Sequence, residues 1–295
     1  MRSSNQALVR TLAALNRFGP LPTIWSSCLA GWWLGGGGHF RALPFLFGGA
    51  TLLIVGGVLL PQAFGMDLGR ETNLGTGTGP PTQSRVPLVL GLGLLVTGVL
   101  LLLRVGVTTG VWGLVVLFLT VLCASLGQDF VVRPTLHGLA RFSLYLLAAS
   151  VGEQGVTGWA LWCGLALGIY VAGAGYLDAQ GARDSRSWAA LLLLAPVALA
   201  LIMDAGPFRE SALLLCAVFV LWAGRCLRAI FWPSEPAQPS RARDLLTGII
   251  LADWLAACPA VSISGQVNQL SREVSFTFIA LFLLALLLRR LLPDA

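Results

Sequence analysis

The chain has 295 residues, of which 56% are hydrophobic and only 11% charged, and its mean hydropathy is +0.81. Soluble domains carry about 25% charged residues, so a water-soluble core does not account for it, and the lack of strict alternation argues against a β-barrel. The net charge of +6 is carried without a lysine. Its arginines fall in the breaks between apolar runs, so the charge reads as membrane topology rather than as a nucleic-acid surface.

Residues 1–19 are polar and hold Arg2, Arg10 and Arg17. The apolar run after them continues past any plausible cleavage site, which predicts a cytoplasmic N-terminal segment and no cleavable leader. A helix that crosses a bilayer needs about 20 apolar residues. Candidate spans run over 21–38, 43–64, 86–103, 107–125, 135–152, 156–177, 187–203, 211–231, 245–264 and 273–292. The expected fold is therefore all-α, a polytopic membrane bundle of nine or ten transmembrane helices forming one domain over 1–295. Its two weakest members are 187–203, which is short, and 245–264, which carries Asp253. With the N-terminus inside, fourteen arginines lie on the inner side and four (Arg41, Arg104, Arg209 and Arg272) on the outer side. That bias follows the positive-inside rule and favours an even number of spans. Two long polar breaks, 65–85 and 178–186, then become cytoplasmic loops.

Local patterns add detail along the way. The "GGGG" at 35–38 reads as a flexible exit from the first span. "GTGTGPP" at 75–81 has no GK[ST] after it and no strand before it, so it is no phosphate-binding loop. Gly106–Gly110 and Gly164–Gly168 have the spacing that permits close helix contact. Trp32, Trp33, Trp159, Trp162, Trp188 and Trp232 fall near span ends and suit an aromatic belt. The six cysteines lie in apolar segments without CxxC spacing, which points to packing. His39 and His137 are too few and too far apart for a metal site or a triad. Arg141 and Asp253 sit within spans, where an ionisable group is costly and faces a partner or a cavity. Two readings stand: they form a mutual pair that holds the bundle together, or they line a cavity. Arg141 and Tyr145, four residues apart, share one helical face.

Several stretches resemble the UbiA superfamily of intramembrane prenyltransferases, in particular its EboC branch. These are "NRFGPLPTIWSSCLAGWWLGG", "HGLARFSLYLLAASVG", "LALGIYVAGAGYLDAQGARD" and "GIILADWLAA", and the resemblance runs over nearly the whole chain. It implies a UbiA-like bundle in the bilayer that transfers a prenyl group from a prenyl diphosphate to a lipid-soluble acceptor. Mg²⁺ would neutralise the leaving diphosphate, and no nucleic acid is involved. In that superfamily two aspartate-rich motifs occupy the cytoplasmic loops after the second and sixth spans. The first motif, N-D-x-x-D-x-x-x-D, falls here on Pro61, Gln62, Gly65 and Gly69, so its three carboxylates are absent. Asp67 stands at a position the motif does not require, while Arg70 and Asn73 match the polar residues that follow it. The second motif is matched by Tyr176, Asp178 and Asp184, with a spacing of six in place of four. The resemblance thus assigns catalysis to Asp178, Asp184 and Tyr176, and metal binding to Asp178 and Asp184. Substrate binding falls to Gln62, Asp67, Arg70, Asn73, Arg141, Tyr145 and Arg183. Two functions remain open: a transferase, or a catalytically silent relative that binds or carries an isoprenoid or other hydrophobic small molecule.

Overall fold

The computed structural model describes residues 21–63, 85–126, 132–180, 187–202, 209–231, 240–263 and 267–291. Among these residues the chain is all-helical, with no strand. The helices are α1 (Leu21–Leu34), α2 (Leu43–Ala63), α3 (Arg85–Val105), α4 (Val107–Ser125), α5 (Val132–Ala149) and α6 (Gly158–Gln180). They continue with α7 (Ser187–Leu192), α8 (Ala195–Ile202), α9 (Arg209–Phe231), α10 (Ser240–Ile263) and α11 (Val267–Leu291), and a single 3-10 turn, Phe40–Ala42, precedes α2.

Three of the described stretches are long and apolar enough to cross a membrane: Phe40–Gly57, Gly158–Asp178 and Glu210–Phe231. Val89–Val105, Val107–Cys123 and Glu273–Leu288 are shorter apolar helices. Large apolar side chains also cover the outside of the bundle, among them Leu221 at 74% exposure and Phe276 at 70%. Exposed apolar side chains in such number are unusual for a monomeric soluble protein and compatible with a membrane protein.

The expected span 187–203 is not one helix. It is divided into α7 and α8 by a turn at Leu193–Leu194, with Leu193 N–H donating to Ala190 O and Leu194 N–H to Leu191 O. Pro196 supplies the reason, since it brings no N–H and its ring opposes the carbonyl four residues back, at Leu192. The apolar composition runs on through the break, so hydropathy alone does not reveal it.

Two apolar cores flank a partition made by α1 and α5. Ile24, Cys28 and Trp32 of α1 and Leu144, Leu147 and Ala148 of α5 face the first core, with α2, α3 and α4. Ala30 and Leu34 of α1 and Tyr145 and Ala149 of α5 face the second, with α6, α9, α10 and α11. Trp32, expected at a membrane interface, is instead buried, its ring centroid 5.1 Å from both Trp33 and Phe40. All six cysteines are free thiols.

Glycine decides how closely the helices of the first core approach. A methyl group at Gly56 would sit 2.9 Å from the carbonyl oxygen of Gly91, and one at Gly98 would sit 3.0 Å from that of Gly49. Gly49 therefore opposes Gly98 and Gly56 opposes Gly91. The pairs are two helical turns apart on antiparallel helices, so α2 and α3 touch backbone to backbone. Between α5 and α6 the same contact recurs once, at Gly138 against Gly168.

The run at 35–38 is an ordered turn. Gly36, Gly37 and Gly38 adopt φ of 94°, 65° and 91°, a region that side chains disfavour and glycine enters freely. Glu153 N–H donates to Gly37 O at 3.2 Å and Gln154 N–H to Gly35 O at 2.8 Å. Thr157 completes the junction. Its Oγ1 donates to Leu34 O at 2.8 Å and accepts from Ala160 N–H at 3.1 Å, which caps the start of α6. The C-terminal end of α1 is thereby tied to the α5–α6 connection.

Candidate functional site

The most polar part of the buried interior lies where α1, α5 and α10 meet. Thr23, Ser26 and Ser27 fall at i, i+3 and i+4 of α1, so they share one face, and all three are buried. Asp253 of α10 is 1% exposed. Ser26 Oγ donates to Asp253 Oδ2 at 2.6 Å and Ser27 Oγ donates to the same oxygen at 2.9 Å. Both hydroxyls also lie within reach of Thr23 O, at 3.0 and 2.9 Å. Each carries one proton, so each chooses between the carboxylate and the carbonyl.

Arg141 of α5 completes the network from the other side. Its Nη1 donates to Thr23 O at 3.2 Å and its Nη2 to Thr23 Oγ1 at 3.0 Å. Arg141 and Asp253 form no direct ion pair among the described residues; they communicate through Thr23 and the two serines. The geometry thus lies between the two readings of the sequence. The charges do share a network that joins three helices, but a hydroxyl-bearing turn of α1 stands between them.

The other carboxylate oxygen has a different environment. Asp253 Oδ1 and Tyr145 OH are both buried and have no hydrogen-bond partner. Leaving a buried acceptor or hydroxyl unpaired costs about 1–3 kcal/mol. Both residues line one cavity, shared among α5, α6, α8, α9 and α10. Counted together with open solvent it has about 510 Å³ of non-atom space, and as a whole it is wide enough only for a few waters. The rest of the wall is apolar, including Leu167, Pro196 and Leu199. Of its lining, Trp159, Leu199, Ala200 and Ala256 are half-buried.

Tyr170 contrasts with Tyr145. Its hydroxyl donates to Leu245 O across α6 and α10, and its ring centroid lies 5.5 Å from that of Phe219. Tyr176 is also buried. Its hydroxyl lies 2.7 Å from Thr135 Oγ1, and its ring centroid is 5.3 Å from that of Trp188. Asp178 is exposed in the last turns of α6.

Two groups of the expected site residues are separated by the length of α6. Gly164 packs against Tyr145, and Asp178 lies fourteen residues farther along, about 21 Å at 1.5 Å per residue. Tyr145 and Arg141 accordingly belong with Asp253, whereas Tyr176 and Asp178 lie together toward the C-terminal end of α6. Gln62 falls in the last turn of α2. Asp67, Arg70, Asn73, Arg183 and Asp184 lie outside the described residues. Mg²⁺ demands an octahedral set of oxygens, usually one or two carboxylates plus phosphate. Among the described residues no three His, Cys, Asp or Glu side chains gather where a cation could sit, and Asp184, the second expected ligand, lies outside them.

Thr23, Ser26 and Ser27 carry the network and escape a reading of the sequence by motif. Their signal is present, as three small hydroxyl residues on one face of an apolar run. What the run does not disclose is their partner, 227 positions away in the chain.

Compared with family models, curated proteins and solved structures, the chain matches none.

Proposed function

We propose that this chain is a multi-pass membrane protein of UbiA-like architecture that binds an isoprenoid or a similarly hydrophobic small molecule between its helices. In this reading it has nine or ten spans, with its N-terminus and the 65–85 and 178–186 loops on the cytoplasmic side. The observation that carries the binding function is the small cavity between α5, α6, α8, α9 and α10, lined by Asp253, Tyr145 and apolar side chains such as Leu167 and Leu199. The outward surface of leucine, valine and phenylalanine supports the bilayer as its surroundings.

A second reading is Mg²⁺-dependent prenyl transfer to a lipid-soluble acceptor. It is favoured by the resemblance, which assigns Tyr176 and Asp178, both near the C-terminal end of α6, to the second motif. Against it, the first motif has Gln62, Gly65 and Gly69 in place of three carboxylates, and a metal site that loses those ligands is weakened severely.

The two readings separate in one experiment. Purified protein in detergent is incubated with a radiolabelled prenyl diphosphate, Mg²⁺ and a membrane lipid extract. Retention of an isoprenoid without transfer of label supports the binding protein. Label that enters an acceptor, and no longer does so in Asp178→Ala, establishes the transferase instead. Neither retention nor transfer ends both.

A further inference from the structure

We infer that the outward face of α9 binds an anionic phospholipid, with an acyl chain along Leu214, Val218 and Leu221 and the phosphate at Arg225 and Arg228. The inference goes beyond the function proposed above. It uses none of the cavity and rests only on the chain's place in a bilayer.

The helix divides cleanly into two faces. Ala212, Leu215, Cys216, Phe219, Ala223 and Cys226 are buried in the bundle. Leu214, Val218, Leu221, Arg225 and Arg228 are all exposed. Their steps of four, three, four and three residues keep them in one narrow stripe at 3.6 residues per turn. The stripe is apolar for two turns and then ends in two cations near the C-terminus of the helix.

Length and charge together select the occupant. From Leu214 to Arg225 the helix rises about 16 Å, close to half of a hydrocarbon core about 30 Å thick. A chain from one leaflet thus covers the apolar part while its headgroup reaches the arginines. Their guanidinium groups form no hydrogen bond or ion pair among the described residues. The acid of this helix, Glu210, lies at its other end, about 22 Å from Arg225. Asp244 of α10 approaches α9 at Trp222, off the stripe. Two planar forks without a counter-ion match the oxygens of a phosphate, and basic residues beside a span attract anionic lipids. A cation at this end also suits the helix dipole, but that effect carries no preference among lipids.

The test uses the full chain, stripped of lipid in neutral detergent, and phosphatidylglycerol and phosphatidylcholine with the same labelled chains. Phosphatidylglycerol is expected to bind about fivefold or more tightly. Arg225→Gln together with Arg228→Gln should abolish that preference, whereas Arg225→Lys with Arg228→Lys should keep most of it. Leu221→Ala should weaken both lipids alike. Equal binding of the two lipids by the parent chain, or a preference that survives both glutamines, would overturn the inference. Displacement of the lipid by an equal concentration of inorganic phosphate would overturn it too, since the site would then take the free anion. So would a dimer, seen by light scattering, that Leu221→Ala dissociates, because a second copy would then cover this face. Each of these outcomes leaves the cavity reading standing. A chain that stays dispersed without detergent would instead end the bilayer placement, and the inference with it.

Discussion

The two sides of the α1–α5 partition are held together differently. On the α2–α4 side, glycines bring helix backbones into contact, with Gly49 against Gly98 and Gly56 against Gly91. On the α6–α10 side Gly138 also meets Gly168, but side-chain bonds between helices are added: Tyr170 bonds to Leu245, Trp222 Nε1 donates to Asp244 O at 3.2 Å, and Asp253 holds the α1 serines. Lipid tails are as apolar as leucine, so helices in a bilayer gain little from hiding apolar surface from one another. What remains is close backbone packing or polar bonding. The first brings backbones together, although Trp25 Nε1 still donates to Thr51 Oγ1 there at 3.1 Å. The second joins helices through side chains, and it is on this side that the cavity lies.

The comparison breaks most visibly at the glycine seam. Gly56→Leu forces a side chain into the Gly91 carbonyl and Leu95, and overpacking of this kind costs about 3 kcal/mol or more when backbone is the obstacle. The variant should melt far below the parent protein in detergent or fail to accumulate. Gly93→Leu is the control, since a methyl group there would meet nothing within 4 Å, and it should stay within about 0.5 kcal/mol. Equal melting of the two variants would dissolve the distinction between the sides.

The polar side predicts smaller and coupled losses. Asp253→Ala leaves the Ser26 and Ser27 hydroxyls without their carboxylate, and two such bonds in a membrane are worth about 2 kcal/mol together. Arg141→Met should cost about 1–2 kcal/mol through the two bonds to Thr23. Because these five residues share one network, the double variant should lose less than the two losses added. Strict additivity, measured by unfolding in detergent, would mean that Arg141 and Asp253 act independently.

The smallest effect sharpens the picture within that side. Tyr170→Phe removes a bond to Leu245 O and should cost about 1 kcal/mol. Tyr145→Phe removes a hydroxyl without a partner and should be neutral or slightly stabilising when no ligand is present. A large loss at Tyr145 would show that its hydroxyl is already engaged.

Much of the helical scaffold is legible in the residues. Runs such as Leu43–Ala63 and Gly158–Gln180 are apolar over a membrane's thickness, and their structure follows expectation. Gly164–Gly168 does form a close contact, at Gly168 with Gly138. The misses are specific. Pro196 divides an apolar stretch whose hydropathy is continuous, and the glycines at 36–38 form a defined turn because their partners, Glu153 and Gln154, lie more than a hundred residues on. The seam of Gly49, Gly56, Gly91 and Gly98 has a seven-residue period that a search for GxxxG passes over. At the candidate site, Arg141 and Asp253 are conspicuous as charges in apolar segments, but the hydroxyls that connect them look like ordinary small residues.

By itself the sequence determined that this chain is a set of long apolar helices, and through its arginines it implied an orientation across a membrane. It also determined that three carboxylates are missing where the resemblance expects them. The tertiary structure decided which faces meet, that Asp253 reaches α1 rather than Arg141, and that a cavity opens beside Tyr145. The reason is physical. In a soluble protein polar and apolar residues mark outside and inside, whereas here leucine and valine serve both surfaces, so hydropathy records where a helix is and not which way it faces.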